Sequence, residues 1–182
     1  MKKLFIPESR KRPIAESLLY KQIVRFLQYE KLEDKFDIAF ISITDGVLEA
    51  KESDGFDYGV SKVALPPKKF QSGRSWITKE VKQEMAKEIV EYLKKTRHIY
   101  GRRMAYVRGS YLEAVRMANE ELRMRNPELM IKEIFTEDEL AELKKRGIMW
   151  MKVGLRMPEA FEIFKKRMVE FSQEENKQLT LF

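Results

Sequence analysis

The chain contains no cysteine. That single absence excludes disulfides, thiolate-held metals and cysteine nucleophiles together. Histidine is reduced to His98, which leaves no room for multi-histidine metal sites or His-based triads. No apolar run approaches the roughly 18 residues that cross a bilayer. The opening segment Met1-Lys2-Lys3-Leu4-Phe5-Ile6-Pro7 has basic residues but no long apolar stretch, so it does not read as a secretory leader. These absences lead to the expectation of a cytoplasmic protein with no membrane partner. Asparagine is scarce as well (Asn119, Asn126, Asn176), and with heavy use of Lys, Arg and Glu this resembles a thermophile's composition.

What is present fits one folded unit. The 182 residues fall in the range of roughly 100–200 that usually makes a single domain. Forty-three per cent of them are hydrophobic, with eleven phenylalanines and seven tyrosines. A chain of this size buries about 70% of its surface without covalent staples. The formal net charge is +7 and the isoelectric point about 9.4. A basic balance of this kind favours polyanions such as DNA or RNA. A salt-bridged surface with surplus lysine is the plainer alternative.

Along the chain, Lys3–Ile6 reads as a strand ended by Pro7, and Pro13 suits the first turn of a helix running from Ile14 to about Tyr29. The apolar stripe of that helix is Leu18, Leu19, Ile23, Phe26 and Leu27. Phe36–Ile43 is nearly all apolar, as a strand buried on both faces should be. The stretch 44–76, with its glycines, Pro66-Pro67 and the aromatic residues Phe70 and Trp76, predicts a functional loop holding short strands. Thr78 caps a helix whose inner face is Val81, Met85, Ile89 and Leu93. Met104–Val107 is a third strand, and Ser110 caps a helix to about Arg125. Ile131–Phe135 reads as a fourth strand. Thr136-Glu137-Asp138-Glu139 has the form of a capping box, opening a helix to about Arg146. After the apolar patch Ile148–Met151 a last helix runs from Pro158 to about Phe171. Strands alternating with helices predict an α/β fold, a three-layer α/β/α sandwich around a short, mostly parallel sheet. Residues 1–171 form the expected domain and 172–182 a polar tail with an apolar tip.

In open parallel sheets ligands bind beyond the carboxyl ends of the strands. The loops there deliver Arg10, Lys11 and Arg12, then Asp45 and Glu49, then Arg108, Gly109 and Ser110. Arg108-Gly109-Ser110 fits two readings, a simple turn with a helix cap or a seat for an anion at a helix start. Asp45, Glu49, Asp54 and Asp57 make a carboxylate cluster, and paired carboxylates bind Mg²⁺ or divide acid and base roles. Asp45, Glu49 and Asp57 are the candidate catalytic set, although Asp54-Gly55 is also an ordinary turn dipeptide. His98 closes a helix among cations and reads as dipole complementation. Lys68, Lys69 and Arg74 stand beside Phe70 and Trp76, combining cations for phosphates with rings for bases. With Arg10, Lys11, Arg12, Arg108 and Ser110 they form the candidate nucleic-acid contacts.

The end of the chain, Gln178-Leu179-Thr180-Leu181-Phe182, puts an amide and apolar side chains after a polar stretch. It resembles the sliding-clamp-binding motif, in its bacterial Gln-Leu-x-Leu-Phe form and its shortened archaeal Gln-x-x-Leu-Phe form. The resemblance implies clamp docking by Gln178, Leu179, Leu181 and Phe182. The alternative is that Leu181 and Phe182 fold back on the protein's own surface.

A wider resemblance runs from about residue 5 to about residue 120. Arg10-Lys11-Arg12-Pro13 through Ser17 and Tyr20, followed by Phe36–Ile43, resembles the small domain of archaeosine synthase proteins and their stand-alone relatives. Thr44–Glu49 stands where that family has a strand-end Ser-Pro-Leu-Gly-Val-Val-Pro segment followed by acidic residues. Asp57-Tyr58, Trp76 and Gly109-Ser110-Tyr111 fit its further positions. Such domains are similar to the uracil-DNA glycosylase fold, which implies a base-sized pocket at the strand ends serving RNA or DNA modification. The chain lacks the glycosylase Gly-Gln-Asp-Pro-Tyr-His signature, so the resemblance carries fold and not glycosylase chemistry.

The expected function is therefore nucleic-acid association, with a sliding clamp as partner and no cofactor. A metal-dependent nuclease or base-modifying enzyme built on the strand-end carboxylates is the alternative.

Overall fold

Residues 1–8, 17–43, 46–50, 77–151 and 153–173 are described by the computed structural model of the chain. The strands are β1 (Lys2–Pro7), β2 (Phe36–Ser42), β3 (Gly46–Glu49), β4 (Arg102–Ala105) and β5 (Lys132–Glu133). The helices are α1 (Leu18–Tyr29), α2 (Lys79–Lys95), α3 (Ser110–Leu122), α4 (Glu137–Lys145) and α5 (Pro158–Gln173). One sheet has the order β3-β2-β1-β4-β5, with β3 antiparallel on β2 and the other pairings parallel. The chain is thus an α/β fold with a mostly parallel sheet. Among the described residues no helix is long and apolar enough to cross a membrane.

Strand residues alternate between the two faces of the sheet, and both faces here are covered. On one, Phe5 meets Tyr92 of α2 edge-on at 5.8 Å, and α3 packs beside α2. On the other, Tyr106 lies 4.6 Å from Phe164 of α5, and Phe26 of α1 lies 5.7 Å from the same ring. This double cover is why β2 is apolar at nearly every position.

Caps set most helix boundaries. Thr136 Oγ1 accepts from Glu139 N at 3.2 Å, while Glu139 Oε2 accepts from Thr136 N at 2.8 Å. That closes the capping box expected at α4. Thr78 caps α2 as expected. In α1 the cap is Ser17, whose hydroxyl accepts from Tyr20 N, so the helix begins at Leu18. Leu18, expected on the buried stripe, is 49% exposed. The cap of α3 is Gly109 and not Ser110. Its φ of 56° and ψ of −133° form a backbone state that is nearly restricted to glycine, and Ser110 becomes the first helical residue. β5 is only Lys132–Glu133 and not Ile131–Phe135; at its amino end Asn119 of α3 takes both main-chain groups of Ile131, at 2.8 Å each. The last helix extends through Gln173, with Ser172 buried inside it.

The first two residues of the central strand are buried lysines. Lys2 Nζ donates to the carbonyl of Phe171 in α5 and sits 5.6 Å over the Phe36 ring. Lys3, on the other face and 0% exposed, pairs with Glu49 and donates to Tyr100 Oη at 3.1 Å. Glu49 also accepts from Tyr92 Oη, and Tyr100 donates to Asp37 at 3.2 Å. Burial, followed by the charges of Glu49 and Asp37, pushes the Tyr100 hydroxyl up to about 12. Burial and the bond to Glu49 push Tyr92 upward too.

Removing one member of a buried pair leaves the other charge uncompensated, at a cost of about 3–5 kcal/mol. Glu49→Gln is expected to fall at or just below the lower end, because Glu49 keeps 23% of its side chain exposed. Urea unfolding of Glu49→Gln and of Lys3→Met/Glu49→Leu checks this. The double variant is expected to recover most of the loss.

Candidate functional site

The order of the sheet reverses at one place. β1 crosses through α1 to β2 on one side, while its other neighbour β4 leads through α3 to β5. The carboxyl ends of β1 and β4 therefore flank the crevice where such sheets hold ligands. Glu8 follows β1 and is turned across to β2, its carboxylate accepting from Ser42 Oγ at 2.8 Å and Ile43 N at 2.9 Å. Tyr106, Val107 and Arg108 follow β4. Tyr106 N donates to Phe5 O at 2.8 Å, which extends the pairing to the strand end. Tyr106 Oη donates to Leu155 O at 2.6 Å in the core, and burial pushes its hydroxyl upward.

Arg108 is half-buried and donates to the carbonyl of Met149. It is followed by Gly109 and Ser110, where α3 begins. The 3₁₀ turn Gly154–Arg156 lies against Arg108. A side chain added at Gly154 would place its Cβ 3.2 Å from Arg108 Nη1 and well inside contact distance of the Ile148 carbonyl oxygen.

The same turn carries Arg156 to α1. Leu18, Lys21, Gln22 and Arg25 of α1 and Arg156 line a cleft of about 360 Å³. No acidic residue occurs anywhere in α1. Among the described residues Lys21, Arg25 and Arg156 enter no ion pair, and the buried Nε of Arg156 has no hydrogen-bond partner. Other surface cations are paired, Arg116 with Glu133 and Glu137 and Arg167 with Glu139 and Glu170. Lys31, Lys95, Lys144 and Lys166 enter no ion pair among the described residues either, and what sets Lys21, Arg25 and Arg156 apart is that they share one cleft. In the segment that precedes this turn, Trp150 is 61% exposed, and Met151 and Val153 are exposed as well.

The sequence candidates divide accordingly. Arg108 and Ser110 stand at the crevice. Glu49 lies three residues along β3 from Gly46, opposite Ala39, and its carboxylate is engaged by Lys3 and Tyr92 near the amino ends of β1 and β2. Asp45, Asp57, Arg10, Lys11, Arg12, Lys68, Lys69, Arg74, Gln178, Leu179, Leu181 and Phe182 lie outside the described residues. Among the described residues no three acidic or histidine side chains converge as a metal site. His98 is exposed and its Nε2 accepts from Arg97 Nε at 2.8 Å.

The α1 cations and Trp150 escaped the sequence reading. A usable signal was there, since Lys21 and Arg25 stand four apart in a helix without a single carboxylate. Trp150 had none, because Ile148–Met151 reads as one apolar patch. The 3₁₀ turn entered from Gly147 at φ 76° divides it, with Ile148 and Met149 buried and Trp150 and Met151 outside.

Gly154→Ala tests the close approach at Arg108. Forcing a methyl group into this contact costs about 1–3 kcal/mol, read as a lowered denaturation midpoint. An unchanged midpoint would mean that the turn does not press on Ile148 and Arg108 in solution.

No protein-family model, curated protein or solved structure matches this chain.

Proposed function

We propose that the protein binds nucleic acid along its α1 face and the adjoining strand-end crevice, and that its C-terminal motif tethers it to a sliding clamp. The observation that carries the first part is the cleft of Lys21, Arg25 and Arg156, three cations with no ion pair among the described residues. Three cations that converge on one cleft without a carboxylate suit a partner that brings its own negative charge, and phosphates supply it in a regular row. Arg108 and the start of α3 continue that positive surface into the crevice. The net charge of +7 acts in the same direction at longer range. The resemblance to the archaeosine synthase domain and its glycosylase-like relatives supports a nucleotide-sized ligand at these strand ends.

Catalysis by Asp45 with Asp57 is the alternative. Its third carboxylate, Glu49, is engaged in the Lys3 pair, so the nuclease reading rests on residues outside the described ones.

Each phosphate neutralised changes the slope of log affinity against log salt by about −0.9 on duplex and −0.7 on single strands. Lys21→Gln/Arg25→Gln/Arg156→Gln is therefore expected to flatten that slope by about 2–3 and to weaken binding, with the melting temperature nearly unchanged. A slope identical to that of the parent protein, or no binding by the parent, would refute the assignment.

The clamp tether has its own test. Leu181→Ala/Phe182→Ala is expected to abolish binding to an immobilised sliding clamp without moving the melting temperature. A lowered melting temperature would show instead that these two residues pack on the protein itself.

A further inference from the structure

We infer that the α1 cleft holds a terminal phosphate, the phosphomonoester at one end of a strand, in preference to the diesters along its length. This rests on the nucleic-acid reading above and adds which part of the ligand the cleft takes. Leu18, Lys21, Gln22 and Arg25 recur at three- and four-residue intervals, which puts them on one side of α1. Arg156 lines the same cleft from the 3₁₀ turn Gly154–Arg156. The three cations thus come from two elements and share one volume of about 360 Å³. That is near the lower end of the range for sites that hold one small ligand, about 300–1,000 Å³. Leu18 to Arg25 covers only about 10 Å along the helix, too short for a row of several phosphates.

Charge decides which phosphate gains most. Lys21 and Arg25, four apart on a helix, repel each other, and a third cation in the same cleft adds to that repulsion. A cleft lined by one sign of charge focuses its field on whatever enters. An internal diester brings one negative charge to that point. A phosphomonoester brings about 1.5–2 negative charges at neutral pH, and three oxygens free to accept hydrogen bonds. The donors suit those oxygens. Arg156 makes no side-chain hydrogen bond or ion pair among the described residues, and its Nε is buried without a partner. A guanidinium with its donors unused is fitted to bidentate binding of phosphate. Gln22 and the half-exposed Leu18 line the rest of the cleft, offering an amide and an apolar surface to the sugar that carries the phosphate. A free nucleotide presents the same group, so the test separates the two sources.

The test is fluorescence anisotropy of the full chain with internally labelled strands of about 12 nucleotides that share one sequence and differ only at their ends. One carries a 5′-phosphate, one a 3′-phosphate, and one hydroxyls at both ends. A phosphorylated strand is expected to bind about tenfold more tightly than the hydroxyl-ended one, the gain from added charge-assisted hydrogen bonds. Which of the two it is fixes the polarity of the bound end. Arg156→Gln and Arg25→Gln are each expected to remove most of that preference, and Arg156→Lys to restore only part of it because the planar fork is lost. Arg25 is exposed on α1, so its variant still decides should Arg156→Gln lower the melting temperature. Calorimetric titration with a nucleoside monophosphate identifies the source. Binding at least tenfold weaker than that of the strand supports the strand end, and equal binding would overturn it in favour of a free nucleotide. Equal affinity for all three strands would also overturn the inference, as would an end preference that survives Arg25→Gln and Arg156→Gln. In those cases salt-dependent binding that is lost in Lys21→Gln/Arg25→Gln/Arg156→Gln would leave the nucleic-acid reading standing. Absence of binding to every strand and to the monophosphate would remove both.

Discussion

Two consecutive buried lysines at the start of the central strand impose the most demanding condition in this fold. A lysine taken out of water without a partner is strongly unfavourable, and successive residues of a strand face opposite ways. Lys2 and Lys3 must therefore be satisfied by two different layers. Lys2 finds the Phe171 carbonyl in the last turn of α5. Lys3 finds Glu49, at the end of the short antiparallel strand β3. One dipeptide thus ties a helix near the end of the chain to one face and the edge strand to the other. Both attachments need such help. β3 has only four residues, and the last turn of α5 has no basic residue to complement its free carbonyls. A buried ion pair is often no more stabilising than apolar packing. Its effect here is to make other registers of β3 unfavourable, since a slip by one residue turns Glu49 to the wrong face and strands Lys3.

That condition also separates the two edges of the sheet. Near the amino ends, Lys3, Glu49, Tyr92, Tyr100 and Asp37 satisfy one another, so their charge is consumed internally. At the carboxyl edge Glu8 is likewise engaged by Ser42 and the Ile43 amide. Among the described residues Lys21, Arg25 and Arg156 enter no ion pair. A functional site needs groups with capacity left over, and α/β sheets have it where loops leave the strands. Glu49 shows how sequence proximity misleads. It stands four residues after Asp45, but β3 runs antiparallel to its neighbour and carries Glu49 along the sheet toward the amino ends of β1 and β2.

Much of the architecture was legible because local signals and tertiary demands agreed. The Thr136–Glu139 box, the Thr78 cap and the apolar run of β2 each point to one outcome, and the structure has it. Disagreement came where a side chain far away in sequence decided. Nothing in Ile131–Phe135 announces that Asn119 will take the main-chain groups of Ile131. Nothing in Arg108-Gly109-Ser110 reveals that the φ of Gly109, and not the Ser110 hydroxyl, sets the start of α3. The site was less legible for a related reason. A cation is informative when no carboxylate neutralises it, and that depends on the whole neighbourhood. Lys21 and Arg25 differ from Arg116 only in lacking the equivalent of Glu133 and Glu137.

Three or four cations would make a modest site for the proposed polyanion. Contacts of this number, acting on phosphates alone, belong to the non-specific range near 10⁻⁴–10⁻⁶ M at physiological salt, too weak to hold a protein at one place on a long polymer. A second attachment changes this arithmetic, because joining two weak contacts through a short linker raises the local concentration of the second into the millimolar range. The helix that leads to the C-terminal motif ends beside Lys2 at the amino edge, on the opposite side of the sheet from Arg108. On the proposal above, the weakness of the groove is a property and not a defect: a clamp contact would supply position, and the groove would need only to hold the polyanion that passes close to it.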